Sequence, residues 1–478
     1  MLEKRCPGMD ASDVLKIWEA GTLVRERMCR VKLYYDGEVK LRELEEKRLD
    51  GRAKSKVLTN WTKYASRLHA GLMTGHAATY SHRDGAESKA LAAYQDFADR
   101  ENLAAADSEH YRNAFLYGYS AEIHSFEAGQ ARVQTTWPWD WVFVTNERGE
   151  IVKGLHRQAV PAFTELDGEL VKKDTAIFRL YTATEIITYK TSIAPAAQSS
   201  GNAVVEDSDI DESAGALVEF SRIAHNYGRP PVVVFRVSED AQPFLQDDFL
   251  KQCDAYDITR SAMQDDIKHA VDSLLMTKGL KFEKLLERDK DGKSVLAKLR
   301  EDGFFPLPEN AEANYLTRTV DVEKFKADLK VTRASIHLMA CIPDLDETIG
   351  GNEGTITNIS GVGLKLMFHL MLQAAAEMEK HFKVGLRKRV EVWNRVNWAA
   401  EGLELTDFTI SMTVNLPFNE AEIVQYLPNL EGVLSTEDRI KLLPFVDSPA
   451  RAAANLRKEQ ESATAPLATS PNNSEAIA

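Results

Sequence analysis

The chain has 478 residues and a formal net charge of −14 at pH 7, with 44% hydrophobic and 28% charged residues. This length allows about two to four domains, and the composition is ordinary for a soluble globular protein. The acidic balance argues against a protein that wraps nucleic acid tightly, because phosphate binding needs clustered Lys and Arg. It leaves room for a protein that surrounds DNA without gripping it.

Cysteine use and hydropathy set further limits. The four cysteines, Cys6, Cys29, Cys253 and Cys341, lie far apart and form no CxxC pair. This pattern indicates free thiols in a reducing compartment. No apolar stretch follows the N-terminal charges, so we expect no signal peptide. The apolar runs stop well short of the roughly 18 residues that a membrane span needs, so we expect no membrane association.

The first part of the chain is predicted to form helices followed by strands. Helical periodicity marks residues 10–50, 56–76 and 87–117, and a two-residue alternation runs from 120 to about 190. Residues 191–216 are rich in Ala, Ser, Gly and Asp, which predicts a mobile surface insertion.

A long helix is predicted over 243–278, after a strand at 231–235. At about 1.5 Å per residue it spans on the order of 50 Å. On a helical wheel at about 100° per residue, one side is apolar and the opposite side carries a narrow stripe of carboxylates. The stripe consists of Asp247, Asp254, Asp265 and Asp272, and the apolar side of Phe249, Tyr256, Met263, Ile267 and Leu274.

Two amphipathic helices are predicted to form a hairpin. A compact mixed module at 279–320 separates the first helix from a second at 321–342, so the module lies at the tip of the hairpin. Pro343 ends the second helix. Residues 344–361 hold four glycines and few apolar side chains, which predicts an exposed loop.

The C-terminal part begins with a long helix at 362–396, followed by a strand at 405–414. The second half of this helix is basic; it could touch phosphate, but a solvated or subunit-facing surface is the favoured interpretation. N-cap signals predict three short helices, at Asn419 with Glu422, at Ser435 with Asp438, and at Ser448 before Pro449. Residues 464–478 are predicted to be disordered.

A search for catalytic motifs finds little. No Gly-x-x-x-x-Gly-Lys-Ser/Thr sequence is present, and the glycine cluster at 350–354 lacks the lysine of a phosphate-binding loop. The aspartates of helix 243–278 could suggest a metal-dependent nuclease, but their regular stripe favours a continuous wall over a compact site. The strand tryptophans Trp137, Trp139 and Trp141 could stack bases, but core or interface positions are the more common use.

Several segments, in their order, resemble the phage portal proteins of long-tailed double-stranded-DNA phages. The strongest region is 344–445, from Asp344-Leu-Asp-Glu-Thr-Ile-Gly-Gly to Leu443-Pro-Phe-Val-Asp447. Earlier matches are Tyr34-Tyr-Asp-Gly37, Tyr117-Gly-Tyr119 and His225-Asn-Tyr-Gly228 with the strand after it. Together they cover about 35–460. The glycine-rich loop here is longer than the family pattern.

The resemblance implies an α+β portal fold that assembles into a ring. Its parts would be an α/β wing at 1–242 with the mobile insertion 191–216, stem helices at 243–278 and 321–342, an α/β clip at 279–320, a tunnel loop at 343–361, a tunnel helix and wing return strand at 362–418, a helical crown at 419–463 and a tail at 464–478.

The resemblance also implies a function. A dodecameric ring would sit at one capsid vertex of the virion, after assembly in the host cytoplasm, and pass double-stranded DNA during packaging and ejection. The terminase motor and a head-tail adaptor would dock on it, and capsid and scaffolding proteins would surround it. No enzymatic activity, cofactor, metal or membrane partner is expected. The alternatives are a non-portal capsid or tail adaptor, or a carboxylate-metal nuclease.

The implied functional residues fall into three groups. The tunnel loop would present Thr348, Gly350, Gly351, Asn352, Gly354, Thr355, Asn358 and Lys365 to DNA. The clip would dock partners through Lys281, Lys284, Arg288 and Lys293. Asp247, Asp254, Asp265 and Asp272 would line the channel, where repeated carboxylates repel phosphate and let the duplex slide.

Overall fold

The structure, a computed structural model, has a mixed helical and sheet fold. It describes residues 11–41, 47, 53–82, 88–166, 169–192, 217–225, 227–271, 274–278, 312–316, 321–344, 366–401, 404–415, 427–430, 432–433, 435–441 and 455–456. The chain divides into two units, one of residues 1–344 with 370–415 and the other of 345–369 with 416–478.

Helices form the beginning of the described part of the first unit. They are α1 (Ala11–Ala20), α2 (Thr22–Asp36), α3 (Trp61–Thr74), α4 (Lys89–Arg100) and α5 (Leu103–Tyr117). The side chain of Asn60 begins α3, because its Oδ1 accepts a hydrogen bond from the Lys63 amide at 2.9 Å. The predicted helix at 10–50 is shorter than expected: it is interrupted at Gly21, and the described residues after Asp36 are not helical.

The described residues up to 236 also form strands. They are β1 (Thr79–His82), β2 (Tyr119–Glu127), β3 (Gln130–Thr136), β4 (Trp141–Thr145), β5 (Ile151–Leu166), β6 (Glu169–Tyr181), β7 (Glu185–Ser192), β8 (Val218–Ala224) and β9 (Val232–Arg236). Strands β4 to β8 form one antiparallel sheet in sequence order, and β3, β2 and β9 form a second sheet with β2 in the centre. The predicted strand region after residue 120 is therefore confirmed.

A glycine makes the turn from α5 into β2 possible. Gly118 has a φ of 93°, a conformation that side-chain-bearing residues rarely adopt. A Cβ atom at this position would also lie 2.0 Å from the carbonyl oxygen of Ala241. Only glycine therefore fits where the helix meets the central strand of the second sheet.

Two clusters of buried apolar side chains pack against the sheets. In the first, Val14 and Trp18 of α1 cover one face of the larger sheet, against Leu155, Phe178, Leu180, Ile187, Tyr189 and Leu217. The second cluster consists of Ala121, Ile123, Trp141, Tyr181, Val232 and Val234, between the two sheets. Burial of these side chains stabilises the sheets by about 25 cal/mol per Å² of apolar surface. Of the three tryptophans predicted to lie in a strand, only Trp141 does, and it is in the core. Trp137 follows β3 and Trp139 lies in a short 3-10 helix, Pro138–Asp140, so the strand prediction is wrong for these two. Their rings stack with centroids 4.9 Å apart, and Trp137 is 49% exposed.

The first long helix ends earlier than the sequence predicts. It is α6 (Asp247–Val271), and residues 274–278 are not its continuation but strand β10 (Leu274–Lys278). This strand pairs antiparallel with β11 (Glu312–Leu316), so Leu274 faces Leu316 across a ladder and does not extend the apolar side of the helix. The helical prediction to residue 278 is wrong because a strand partner about 40 residues away satisfies the backbone.

The other predicted long helices are present. They are α7 (Val322–Met339), which packs beside α6, and α8 (His369–Glu401), which runs five residues beyond the predicted end. Strand β12 (Phe408–Ser411) returns to pair with β1. In the second unit, α9 (Thr436–Lys441) begins at Ser435, whose Oγ accepts a hydrogen bond from the Asp438 amide at 3.1 Å, as its capping sequence predicts.

Helix α8 crosses β9 so closely that a glycine is needed at the contact. A Cβ atom on Gly385 would lie 2.6 Å from Cδ1 of the buried Phe235 ring. We expect Gly385→Ala to destabilise the chain by about 1–3 kcal/mol, although alanine favours a helix intrinsically. The matched control is Gly71→Ala in α3, where a Cβ meets nothing within 4 Å. Chemical unfolding midpoints should fall for the first variant and stay or rise for the second; equal midpoints would contradict the packing argument.

No helix in the described part of the chain combines the length and apolar character that crossing a bilayer requires.

Candidate functional site

Three aspartates of α6, Asp247, Asp254 and Asp265, contact the N-terminal part of the chain. The Tyr34 hydroxyl of α2 donates to the Asp254 carboxylate at 2.8 Å, and Arg30 forms an ion pair with Asp247. Asp265 accepts from the Ser55 amide at 3.0 Å and from its hydroxyl at 2.6 Å, and it is only 9% exposed. These carboxylates therefore hold another segment of the same chain to α6.

This geometry changes the interpretation of the acidic stripe. A solvent-facing line of carboxylates was expected, but Asp254 and Asp265 are covered by intrachain contacts and Asp265 is buried. Asp272 lies outside the described residues. The helical wheel does not show that α2 and residues 53–60 cover Asp247, Asp254 and Asp265. A channel-lining role for these four positions stays a prediction.

A neighbouring carboxylate on α6 has a strongly altered proton affinity. Asp257 is 7% exposed and accepts a hydrogen bond from the Thr59 amide at 2.9 Å. Burial raises the pKa of Asp257 to about 7, and this outweighs the hydrogen bonds from Thr59, which lower it. The folded chain therefore favours the protonated form of this side chain up to near-neutral pH.

This shift predicts a pH-dependent effect of Asp257→Asn. The pKa of Asp257 is higher in the folded chain than in the unfolded chain. Its protonated form therefore contributes fully to the free energy of unfolding below the unfolded-state pKa, and this contribution is lost as pH rises through about 7. Asparagine cannot ionise. The free energy of unfolding of Asp257→Asn relative to the parent should therefore be about 1–2 kcal/mol higher at pH 8 than at pH 5, after a discount for partial solvation.

Urea unfolding at the two pH values measures this difference. The control is Asp248→Asn on the exposed side of the same helix, where Asp248 pairs only with Lys251. An advantage of Asp257→Asn that is independent of pH would show that Asp257 is ionised throughout.

The chain is firmly held where it leaves α7 for the predicted tunnel loop. His337 Nδ1 lies 3.0 Å from the Pro343 carbonyl oxygen, and Arg333 forms an ion pair with Asp344. His69 Nε2 donates to the Ala340 carbonyl oxygen at 2.8 Å, and burial lowers the pKa of His69 to about 4, so the ring is neutral. These contacts fix the N-terminal base of the loop on α3 and α7.

The implied loop and clip residues lie outside the described residues. This applies to Thr348, Gly350, Gly351, Asn352, Gly354, Thr355, Asn358 and Lys365 in the loop, and to Lys281, Lys284, Arg288 and Lys293 in the clip. Their roles stay predictions.

A buried charge cluster joins α8 to the second sheet. The Arg389 guanidinium is fully buried; its Nε and Nη2 donate to the two carboxylate oxygens of Glu122 at 2.8 and 2.9 Å, and its Nη1 donates to Asp107 at 2.5 Å. His110 and His124 place their Nε2 atoms 3.0 and 2.9 Å from the same Glu122 carboxylate. Three elements, α5, β2 and α8, therefore meet at one carboxylate.

The ion pairs and hydrogen bonds within this cluster keep both Glu122 and Arg389 charged although both are buried. Burial alone raises the pKa of Glu122, but Arg389, His110 and His124 outweigh it and hold that pKa well below its usual range. Burial lowers the pKa of Arg389, but Asp107 and Glu122 hold it above its usual range. The ring of Phe235 lies 4.7 Å from the guanidinium, so the pair is also shielded from water. The cluster therefore stabilises the packing of α8 against α5 and β2.

This buried cluster was not predicted from the sequence. Arg389 was placed within a solvated or subunit-facing basic surface, which is wrong at this position because the residue is 0% exposed. The available signal was the polar series Ser120, Glu122 and His124, which occupies one face of β2 although the strand is buried. Polar side chains on a buried strand face require partners, and a long basic helix is one source of them.

The described residues offer no site for a metal ion. Within that part of the chain, no three His, Cys, Asp or Glu side chains are grouped closely enough to bind one.

Comparison with known proteins assigns the chain to a family. The sequence profile of the phage portal proteins of the SPP1 Gp6-like type matches residues 15–465. The chain belongs to this family. A portal, or connector, role follows from that membership, and the resemblance inferred from the sequence is confirmed.

Other comparisons add little. No protein of curated function matches the chain by sequence. Among solved structures, a chain from the neck of an empty GTA particle, computed with C6 symmetry, is 14% identical. The alignment covers 80% of this chain and 88% of that chain, with a TM-score of 0.36, a likeness too weak to carry weight in the assignment.

Proposed function

We propose that the protein forms a closed ring at one vertex of a phage capsid and that double-stranded DNA passes through the centre of the ring. The main support for this proposal is the family match over residues 15–465, which is nearly the whole chain. Twelve subunits are proposed, with DNA entering during packaging and leaving during ejection. Negative-stain images of the purified protein test the ring.

An exposed apolar seam on α7 supports assembly. Val331 and Leu338 are 67% and 65% exposed, and the exposed Ala327 and Ala334 lie on the same helix face. The four residues follow a spacing of four, three and four, which matches the seam of packed helices. A single chain leaves this seam uncovered, and a neighbouring subunit in a ring can cover it.

The proposed DNA contacts are repulsive or weak. The net charge of −14 makes the protein a poor binder of phosphate, which suits a conduit through which the duplex slides. Asp254 and Asp265 are engaged within the chain, so we assign the DNA contacts to the tunnel loop first and to the stripe second. The clip is the proposed docking site for the terminase and the head-tail adaptor.

The protein is proposed to be no enzyme. The energy for packaging would come from a separate terminase, and the portal would neither hydrolyse ATP nor cut DNA. We expect purified protein to release no phosphate from ATP above buffer, and to leave plasmid DNA intact with Mg²⁺ or Mn²⁺. Hydrolysis that co-elutes with the assembled protein and disappears on a single substitution would overturn this proposal and favour the nuclease or motor alternative.

A further inference from the structure

Residues 53–60, called the strap below, are held on α6 by a regular series of hydrogen bonds. Backbone amides at every second residue of the strap donate to side chains at every fourth residue of the helix. The pairs are Ser55 with Asp265 at 3.0 Å, Val57 with Ser261 at 3.0 Å, and Thr59 with Asp257 at 2.9 Å. The strap therefore lies along one face of α6 and runs in the opposite direction.

The two spacings match because of the geometry of the backbone. Two residues of extended chain span about 6.6 Å, and four residues of an α-helix rise about 6 Å. Successive donors on the strap and acceptors on the helix therefore stay aligned. Over this length the strap covers about two turns of α6, including the Asp257 and Asp265 carboxylates.

The strap adds almost no apolar surface to the core. All eight of its residues are described, and among their side chains only Ser55 is buried, while Leu58 is 39% exposed. Its further contacts to α6 are also polar: Arg260 Nη1 donates to Thr59 Oγ1 at 2.9 Å, and Lys268 Nζ donates to Ser55 Oγ at 2.6 Å. A segment with few buried apolar contacts opens locally at a much lower cost than global unfolding.

Both ends of the strap are anchored to elements other than α6. At one end, Asn60 caps α3, and its Nδ2 donates to the Tyr35 carbonyl oxygen at 2.7 Å. At the other end, Ala53 pairs with Lys47 in an antiparallel bridge. Loss of the contacts to α6 would therefore leave the strap tethered at both ends, with α2 and α3 in place.

Protonation of Asp257 affects how well the strap is held. Burial raises the pKa of Asp257 to about 7; Asp254 adds to this rise, and Thr59 and Arg260 oppose it. The Cys253 thiol, on the same helix, is also close enough to interact with Asp257. Exposure to water would return the pKa of Asp257 to its ordinary range. Attachment is therefore favoured while Asp257 is protonated, and this contribution is lost as pH rises through about 7.

We propose that the strap detaches from α6 as one unit while the rest of the chain stays folded, and that this opening uncovers the Asp257 and Asp265 carboxylates. In the attached state the strap covers these carboxylates. In the detached state α6 presents to water part of the acidic face that its sequence predicts. All of the contacts involved lie within one chain, so the proposal is independent of the ring and the DNA channel.

Residue-resolved hydrogen exchange of the full chain tests this opening. After division by the intrinsic rates, the amides of Ser55, Val57 and Thr59 should share one opening constant. It should be at least about 100-fold larger than that of the α5 amides, whose exchange follows global unfolding. It should rise about three- to tenfold from pH 6 to pH 8, because uncovered Asp257 ionises. Asp257→Asn should remove this rise, and the control Asp248→Asn, at an exposed position of α6, should keep it.

A second variant distinguishes one unit from three separate contacts. Ser261→Ala removes the acceptor of the Val57 amide, yet it should speed exchange of all three amides by the same factor, about 2- to 10-fold. Unchanged exchange of the α5 amides in the same sample shows that the fold is retained. An increase confined to Val57, exchange of the three amides only at the α5 rate, exchange as fast as in a free peptide, or an opening constant equal at pH 6 and pH 8 would each overturn the proposal.

Discussion

Arg389→Met should lower the stability of the chain more than any other single change considered. It leaves the Glu122 carboxylate, which accepts two hydrogen bonds from Arg389, buried without its cation, and it removes the partner of Asp107. Breaking one side of a buried ion pair costs about 3–5 kcal/mol. We expect a loss of this size in urea unfolding at pH 7.5, with Arg387→Met, an exposed change on the same helix, within about 0.5 kcal/mol of the parent.

The pH dependence of the loss identifies its cause. In the parent, the pKa of Glu122 is lower in the folded chain than in the unfolded chain. Ionised Glu122 therefore stabilises the fold above its unfolded-state pKa, and this stabilisation is lost as pH falls. In the variant, protonation of Glu122 removes the unpaired charge. The difference in the free energy of unfolding between parent and variant should therefore become smaller from pH 7.5 to pH 5. Adding Glu122→Gln to Arg389→Met should recover part of the loss. A difference in the free energy of unfolding that is constant with pH and unaffected by Glu122→Gln would indicate that the variant loses side-chain packing and not the ion pair.

Replacing Val331 and Leu338 by Glu should abolish assembly while the chain stays folded. Both side chains are largely exposed in the single chain, so the fold loses little, within about 1 kcal/mol. In a ring, the charges would be buried at the contact, where desolvation costs several kcal/mol per ion. Mass photometry should show single chains of 53.5 kDa, and circular dichroism should show an unchanged helical content.

A charge change away from the seam is the control. Lys326→Glu lies on another side of α7 and breaks only an exposed pair with Glu323, so assembly should persist. Large particles formed by the Val331 and Leu338 double variant would show that the seam is not a subunit contact. Loss of helical content together with assembly would instead place these two residues in the fold of the single chain.

The sequence predicted local features well and long-range contacts poorly. Helix periodicity placed α3, α7 and α8, and the capping pair at Ser435 and Asp438 placed α9, because such signals lie within a few residues. The family was identified from the order of short segments, which does not depend on tertiary contacts. The candidate DNA and clip residues rest on that resemblance alone.

The errors share one physical cause. The end of α6 was missed because β10 pairs with a strand about 40 residues away, and the burial of Asp265 was missed because Ser55, which covers it, lies 210 residues earlier. Arg389 was taken as surface because long basic helices usually face solvent. In each case a distant segment decided the environment, and periodicity carries no information about that segment.

The closed ring is the central claim, and particle mass at micromolar concentration tests it most directly. Twelve chains of 53.5 kDa give a particle of roughly 640 kDa, and negative-stain images of the same sample should show rings with a central hole. A single mass peak near this value, with ring images of one size, is the predicted result. A monodisperse monomer or dimer under the same conditions would contradict the account.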